Sequence, residues 1–240
     1  MKCVPWLLGT VAAALLLCGC ESTQQRSAEL QRSAKHETLS QQGVSVKSEN
    51  PSVTVLRSTV VDSREGAAVV VALRNSSSRT LENAPIEITV HNAHGGTLFQ
   101  NNAPGLEPSL TQISLLPAGA EVVWIDDQVP TTGTPTSASA LVGEATRASG
   151  SIPALSVTNT HLASEAGAEA TLSGTVENHS RVNQQDLVVY ALASRGSKLV
   201  AAGRAVLPEV LAGASVQFQI YFVGDPSGTR ISTSAPPTSF

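Results

Sequence analysis

Aromatic, charged and thiol side chains are all scarce in this chain of 240 residues. Aromatics make up 3% and charged residues 14%, and Cys3, Cys18 and Cys20 are its three cysteines. Each shortage excludes something. With no cysteine after Cys20, a disulfide framework, a cysteine-rich metal site and a cysteine nucleophile are ruled out for the body of the chain. A net charge of −4 with no basic cluster leaves nucleic acid no electrostatic footprint to bind. The longest apolar run, Val4 to Leu17, is 14 residues, short of the roughly 20 that a membrane-spanning helix needs. What the chain does have is 41% hydrophobic residues, mostly Ala, Val and Leu, enough for one or two domains with aliphatic cores. That content also excludes a charge-rich disordered chain.

The N-terminus carries a targeting signal. Lys2 supplies a short basic region, the Val4–Leu17 run follows, and Glu21-Ser22-Thr23-Gln24-Gln25-Arg26 is polar; this is the layout of a secretory leader. Leu17-Cys18-Gly19-Cys20 resembles the bacterial lipobox, with a large aliphatic residue three before a cysteine and a small one immediately before it. The resemblance implies that the Cys20 thiol is lipidated, that residues 1–19 are removed and that two acyl chains hold the protein on a membrane. An ordinary signal peptide that happens to contain cysteines is the alternative. Glu21 after the cysteine is similar to signals that permit export to an outer membrane, where the host has one.

Residues 20–51, rich in Gln, Ser, Glu and Lys, are expected to be a disordered tether behind the lipidated cysteine. From Ser52 the pattern changes to short Val/Ile/Leu segments between Asn, Ser, Gly and Pro clusters, which predicts strands and turns. In Ile86-Glu87-Ile88-Thr89-Val90 the aliphatics alternate strictly, as in a half-buried antiparallel strand. Val216, Phe218, Ile220 and Phe222 likewise line one face, with Gln217, Gln219 and Tyr221 on the other. The expected fold class is all-β: a first sandwich over 52–130, an extended linker over 131–153, a second sandwich over 154–225 and a flexible tail over 226–240.

Internal comparison supports two copies of one unit. Ala118-Gly119-Ala120-Glu121-Val122 matches Ala212-Gly213-Ala214-Ser215-Val216 at all but one position. Asn75-Ser76-Ser77 corresponds to Asn178-His179-Ser180, and Gly96-Thr97-Leu98 to Gly196 with the residues after it. A strand ending in an Asn-x-Ser turn, an aliphatic strand, a Gly-centred hairpin, and an Ala-Gly turn before an aromatic-bearing strand is similar to the FxLYD type of bacterial immunoglobulin-like domain. The resemblance is best over 155–225, where Leu187-Val188-Val189-Tyr190-Ala191 stands at the family's aromatic-bearing strand, although the Leu-Tyr-Asp tripeptide is absent. It implies two tandem antiparallel immunoglobulin-like β-sandwiches on a lipoprotein, and no enzyme activity.

Searches for chemistry return little. His91 and His94 are three apart at a strand end, where such positions point to opposite faces, so no metal site is expected. His36, His161 and His179 read as solvated. Asp126-Asp127 reads as a solvated strand end, since a calcium loop needs more oxygen ligands nearby. Neither a Gly-x-Ser-x-Gly elbow nor a glycine-rich phosphate loop is present, and no carboxylate pair is fixed by the pattern. The expectation is therefore no catalysis, no cofactor and no metal. Trp124 is expected to plug its core and Tyr190 and Tyr221 to cover sheet edges, with Tyr221, Gln217 and Gln219 the best candidate ligand face.

These features predict a lipid-anchored, extracytoplasmic envelope protein. It would engage the membrane through its N-terminal lipid and an envelope protein through its sandwich surfaces. Capture of a carbohydrate or wall fragment on the Gln217/Gln219/Tyr221 face is the alternative, and a passive spacer a third reading.

Overall fold

The computed structural model describes residues 43–64, 66–130, 132–163 and 170–240. Cys20 and most of the expected tether lie outside them. In chain order the strands are β1 (Val53–Asp62), β2 (Ala67–Asn75), β3 (Leu81–His91), β4 (Thr97–Gln100), β5 (Gln112–Leu116), β6 (Glu121–Val129), β7 (Ser137–Val142) and β8 (Thr146–Arg147). They continue as β9 (Leu155–Ala163), β10 (Thr171–Asn178), β11 (Gln184–Arg195), β12 (Lys198–Val210), β13 (Ser215–Tyr221), β14 (Val223–Gly224) and β15 (Arg230–Ser234). A single 3₁₀ turn, Pro108–Leu110, is the only helical element among the described residues.

Every pairing is antiparallel, and the all-β expectation holds. In the first half, the sheet β1-β2-β6 faces the sheet built on β3, which pairs β4, β5, β7 and β8. In the second half, β9-β10-β13 faces β14-β12-β11-β15. The two halves repeat strand for strand: β2 between β1 and β6 corresponds to β10 between β9 and β13, and β3 with β7 corresponds to β11 with β15.

The alternation read from the sequence is observed in β3, where Ala84, Ile86, Ile88 and Val90 are buried. It is observed again in β13, where Phe218 and Ile220 are buried and Gln217, Gln219 and Tyr221 exposed. The strands between the two halves do not alternate. β2 is buried from Ala67 to Val70 and on through Val71, and β11 from Leu187 to Ala191. A strand buried on both faces needs a layer on each side, and that is what the stacking provides: Val188, Tyr190 and Ala202 of the second half pack into the same core as Val69, Ile86 and Trp124 of the first. A separate core joins Leu172, Val176 and Phe218 to Leu187, Val189 and Leu207. The sandwiches thus form four layers, with β1-β2-β6 and β14-β12-β11-β15 inside.

Three segments differ from expectation for one reason. Residues 131–153, expected as an extended linker, contribute β7 and β8 to the first sandwich. Residues 226–240, expected as a flexible tail, contribute β15 to the second. The tail is then pinned by buried Gln184, whose Oε1 accepts the backbone N–H groups of Thr238 (2.9 Å) and Ser239 (3.2 Å). Residues 49 and 50 of the tether bridge to β7: Glu49 pairs with Gly143, and Asn50 N–H donates to Val142 O at 2.8 Å. All three are Ser/Thr/Ala-rich or polar edge segments. They are held by main-chain bonds that leave little hydrophobic pattern to read. The described residues all fall within one compact unit.

Candidate functional site

The candidate ligand face is the outer surface of β9-β10-β13. Gln217, Gln219 and Tyr221 lie on β13, and antiparallel pairing sets them opposite Thr175, Ser173 and Thr171 of β10. The next strand adds Thr158 opposite Thr175 and His161 opposite Ser173. The face is a ladder of amide, hydroxyl and imidazole groups with one large ring, Tyr221, which is 55% exposed. No charged residue stands in its central rows. Sequence reasoning found the β13 stripe and missed the β9 and β10 rows, because register is set by turns and bulges that the pattern of one strand does not reveal.

At one end of this face Ser156 Oγ lies 2.8 Å from His179 Nε2, Glu177 Oε2 lies 3.5 Å from that same nitrogen, and Thr158 donates to Glu177 Oε1 at 2.9 Å. A nucleophile relay needs the acid on the opposite ring nitrogen, orienting the base. Here serine and carboxylate share Nε2, and the cluster is open to solvent, so it orders the sheet edge.

Comparison of the two halves explains why the face is polar. With Asn75 matched to Asn178 and Val122 to Val216, strand pairings coincide: Ala72–Val123 corresponds to Thr175–Gln217, and Val70–Ile125 to Ser173–Gln219. In the first half these positions are apolar and lie beneath the second half. Their counterparts are polar where nothing covers them. The other outer face follows the same rule: on β3, Glu87 and Thr89 occupy the positions that Tyr190 and Leu192 hold on buried β11. Both ends of the stack carry the polar surface that a terminal repeat presents to water.

The junction between the halves holds the most perturbed ionisable groups among the described residues. Arg204 on β12 is buried, and its Nε donates to Asp127 Oδ1 at 3.0 Å while its own backbone N–H donates to Asp127 Oδ2 at 2.8 Å. Its fork also reaches Ser109 Oγ at 2.7 Å and Glu107 Oε2 at 3.4 Å. Ser109 O in turn accepts the indole N–H of Trp124, which is fully buried as expected. Asp126-Asp127 is therefore not a solvated strand end. Burial pushes the Asp126 carboxyl up to about 6, against a hydrogen bond from Gln128 N–H and the charge of Arg204. Burial also raises Asp127, with Arg204 pulling the other way. Tyr190 does not cover a sheet edge. It lies in this junction, and burial lifts its phenol well above the ordinary value. The sequence signal for Arg204 was one cation inside the apolar run from Leu199 to Leu207.

Beside this cluster a groove of about 510 Å³ opens between the halves. Its floor comes from Val122 and Val123 of the first half and Tyr190 and Leu192 of the second, and its rim from Ser232, Ser234 and Ile152. Of the remaining titratable groups, His91 has a buried Nδ1 without a hydrogen-bond partner. Among the described residues no three His, Cys, Asp or Glu side chains are grouped to hold a metal.

No protein-family profile and no curated protein matches this chain. Among solved structures it matches the exo-chitosanase CsxA of Amycolatopsis orientalis, in complex with PNP-beta-D-glucosamine, at 14% identity and a TM-score of 0.28. The match covers 76% of this chain and 26% of the chitosanase chain. Against the expectation of no enzyme activity, the solved structure matched is that of an enzyme. A likeness at this TM-score, spanning about a quarter of the other protein, carries neither that protein's fold nor its activity over to the present chain.

Proposed function

We propose that the chain is a lipid-anchored, extracytoplasmic docking module: Cys20 holds it to a membrane of the bacterial envelope, and its stacked immunoglobulin-like sandwiches engage an envelope protein. The anchor reading rests on Leu17-Cys18-Gly19-Cys20 after the apolar run. The docking reading rests on one observation, the division of the surface. Both end faces of the stack are polar at the positions where the inner faces are apolar, which leaves the junction groove as the apolar concavity suited to a partner.

Metabolic labelling with an alkyne fatty acid tests the anchor, followed by membrane fractionation of wild type and Cys20→Ser. Label and membrane association that depend on Cys20 support it, and a soluble, unlabelled wild-type protein contradicts it. Capture of a neutral glycan on the outer face is a second reading, favoured by the exposed ring of Tyr221 among amides and hydroxyls. Titration with wall-derived oligosaccharides separates the two. Saturable binding lost in Tyr221→Ala supports capture, and no binding by wild type ends it.

A further inference from the structure

The geometry points to the kind of partner the junction takes: an extended, uncharged segment of another protein, laid in the groove as an added strand on the free edge of β15. This rests on the docking reading above and specifies its site. β15 is the terminal strand of β14-β12-β11-β15, paired with β11 on one side and with no described strand on the other. Such an edge offers a row of main-chain donors and acceptors to an incoming chain, and proteins ordinarily guard it with charge, proline or a bulge. From Ile231 to Ser234 the strand has no such guard.

The first half shows what fits there. Its counterpart strand, β7, has its edge closed by the chain's own backbone, through Asn50 N–H to Val142 O at 2.8 Å and the Glu49–Gly143 bridge. The residue that corresponds to Asn50 in the second half is Ile152, because Ser52 O and Ala154 O accept equivalent bonds from Ser76 and His179, and strand register matches Val142 to Ala235. Ile152 makes no such bond. It stands 46% exposed, and Ile152 and Ala235 both line the groove. Residues 49 and 50 thus close the end of that edge in the first half, and the matching end of the β15 edge, at Ala235, has no such partner among the described residues.

The lining sets the rest of the chemistry. The floor of Val122, Val123, Tyr190 and Leu192 continues the apolar junction outward, so side chains at alternate positions of the added strand would extend a packed interface. The one ionisable carboxylate on the lining, Glu121, is already paired with Arg74 at 2.6 Å, which leaves no charge to recognise. The volume of about 510 Å³ falls within the range of binding clefts, about 300–1,000 Å³.

The test is photo-crosslinking in intact cells with the full chain carrying p-benzoylphenylalanine at position 232, on the groove rim, or at position 219, on the outer face. The crosslinked peptide is then sequenced by mass spectrometry. The expected result is a product from position 232 to an uncharged segment of a protein with alternating apolar residues. Ile152→Asp, at an exposed site that folding tolerates, would cut that product by about tenfold or more, because it places an unpaired charge beside the added strand. Products from position 219 alone overturn the groove and leave the docking module standing. A lipid, a glycan or a charged segment at position 232, or a product indifferent to Ile152→Asp, also overturns the groove. No protein product from either position overturns both.

Discussion

Asn75 and Asn178, 103 positions apart, make matching hydrogen bonds in the two halves, with one further bond from Asn178 to Leu211 O. Each amide nitrogen donates to the carbonyl four residues on, Arg79 or Val182, and to that of Leu116 or Val210 at the end of a matching strand. Each amide oxygen accepts from the backbone and hydroxyl of the serine two residues later, Ser77 or Ser180. Each backbone N–H donates to the residue after a left-handed glycine, Ala120 after Gly119 or Ala214 after Gly213. One buried side chain thus ties β2 to the turn before β6 in the first sandwich, and β10 to the turn before β13 in the second. Replacing either asparagine with alanine leaves buried carbonyls without donors, and should cost about 1–3 kcal/mol at each site. Urea unfolding measures it. A large loss at one site and none at the other would contradict the equivalence.

Arg204 and Asp127 hold the halves together in the same sense that the asparagines hold each half. Arg204→Ala removes one partner of a buried pair, strands Asp127, and should destabilise by about 3–5 kcal/mol. The double replacement Arg204→Met with Asp127→Leu should be less destabilising than either single change, since no charge is left buried alone. Additive losses in a double-mutant cycle would show that the two side chains do not interact.

Asp126 gives the stack a pH dependence whose sign is fixed by its raised pKa. The folded-state value, about 6, lies above the ordinary 3.8, so the folded state binds the proton more tightly. The resulting stabilisation is complete below about pH 4 and is lost as pH rises through 6. Asp127, also raised by burial, adds in the same direction. Unfolding free energy contributed by these groups should rise on acidification from pH 7 to 5. Asp126→Asn should stabilise the protein at pH 7, by on the order of 2 kcal/mol, and flatten the profile. A variant with an unchanged slope would contradict the assignment.

The polar end face should behave as a cap. Writing the first-half residues onto their second-half counterparts, Thr175→Ala, Ser173→Val, Gln217→Val and Gln219→Ile, restores the apolar surface on which another sheet docks. The variant should self-associate through the new apolar face, patch against patch, as a symmetric dimer. Sedimentation at micromolar concentrations reads this out, and a variant that sediments like wild type would count against the capping role.

The outer strands were legible because each meets water on one face. In β3 and β13 polar and apolar residues alternate, and the pattern carries both the element and its inward side. The continuous apolar runs Ala67–Leu73 and Leu187–Leu192 carry the layer count, but the expectation of two sandwiches on an extended linker did not draw it from them. β7 and β15 were not legible. Ser137-Ala138-Ser139-Ala140 and Ser232-Thr233-Ser234 bury little apolar surface and are fixed by ladder bonds to β3 and β11. The Arg204–Asp127 pair was hidden for another reason: its members lie 77 positions apart in different halves, and no local pattern reports which strand packs on which.

The docking module is tested most directly by crosslinking in intact cells, affinity purification and mass spectrometry, comparing wild type with Cys20→Ser. The account predicts one envelope protein recovered in near-stoichiometric amount with wild type and lost when Cys20 is replaced. A membrane-bound wild type that brings down no specific protein, or a partner recovered equally with Cys20→Ser, would contradict it.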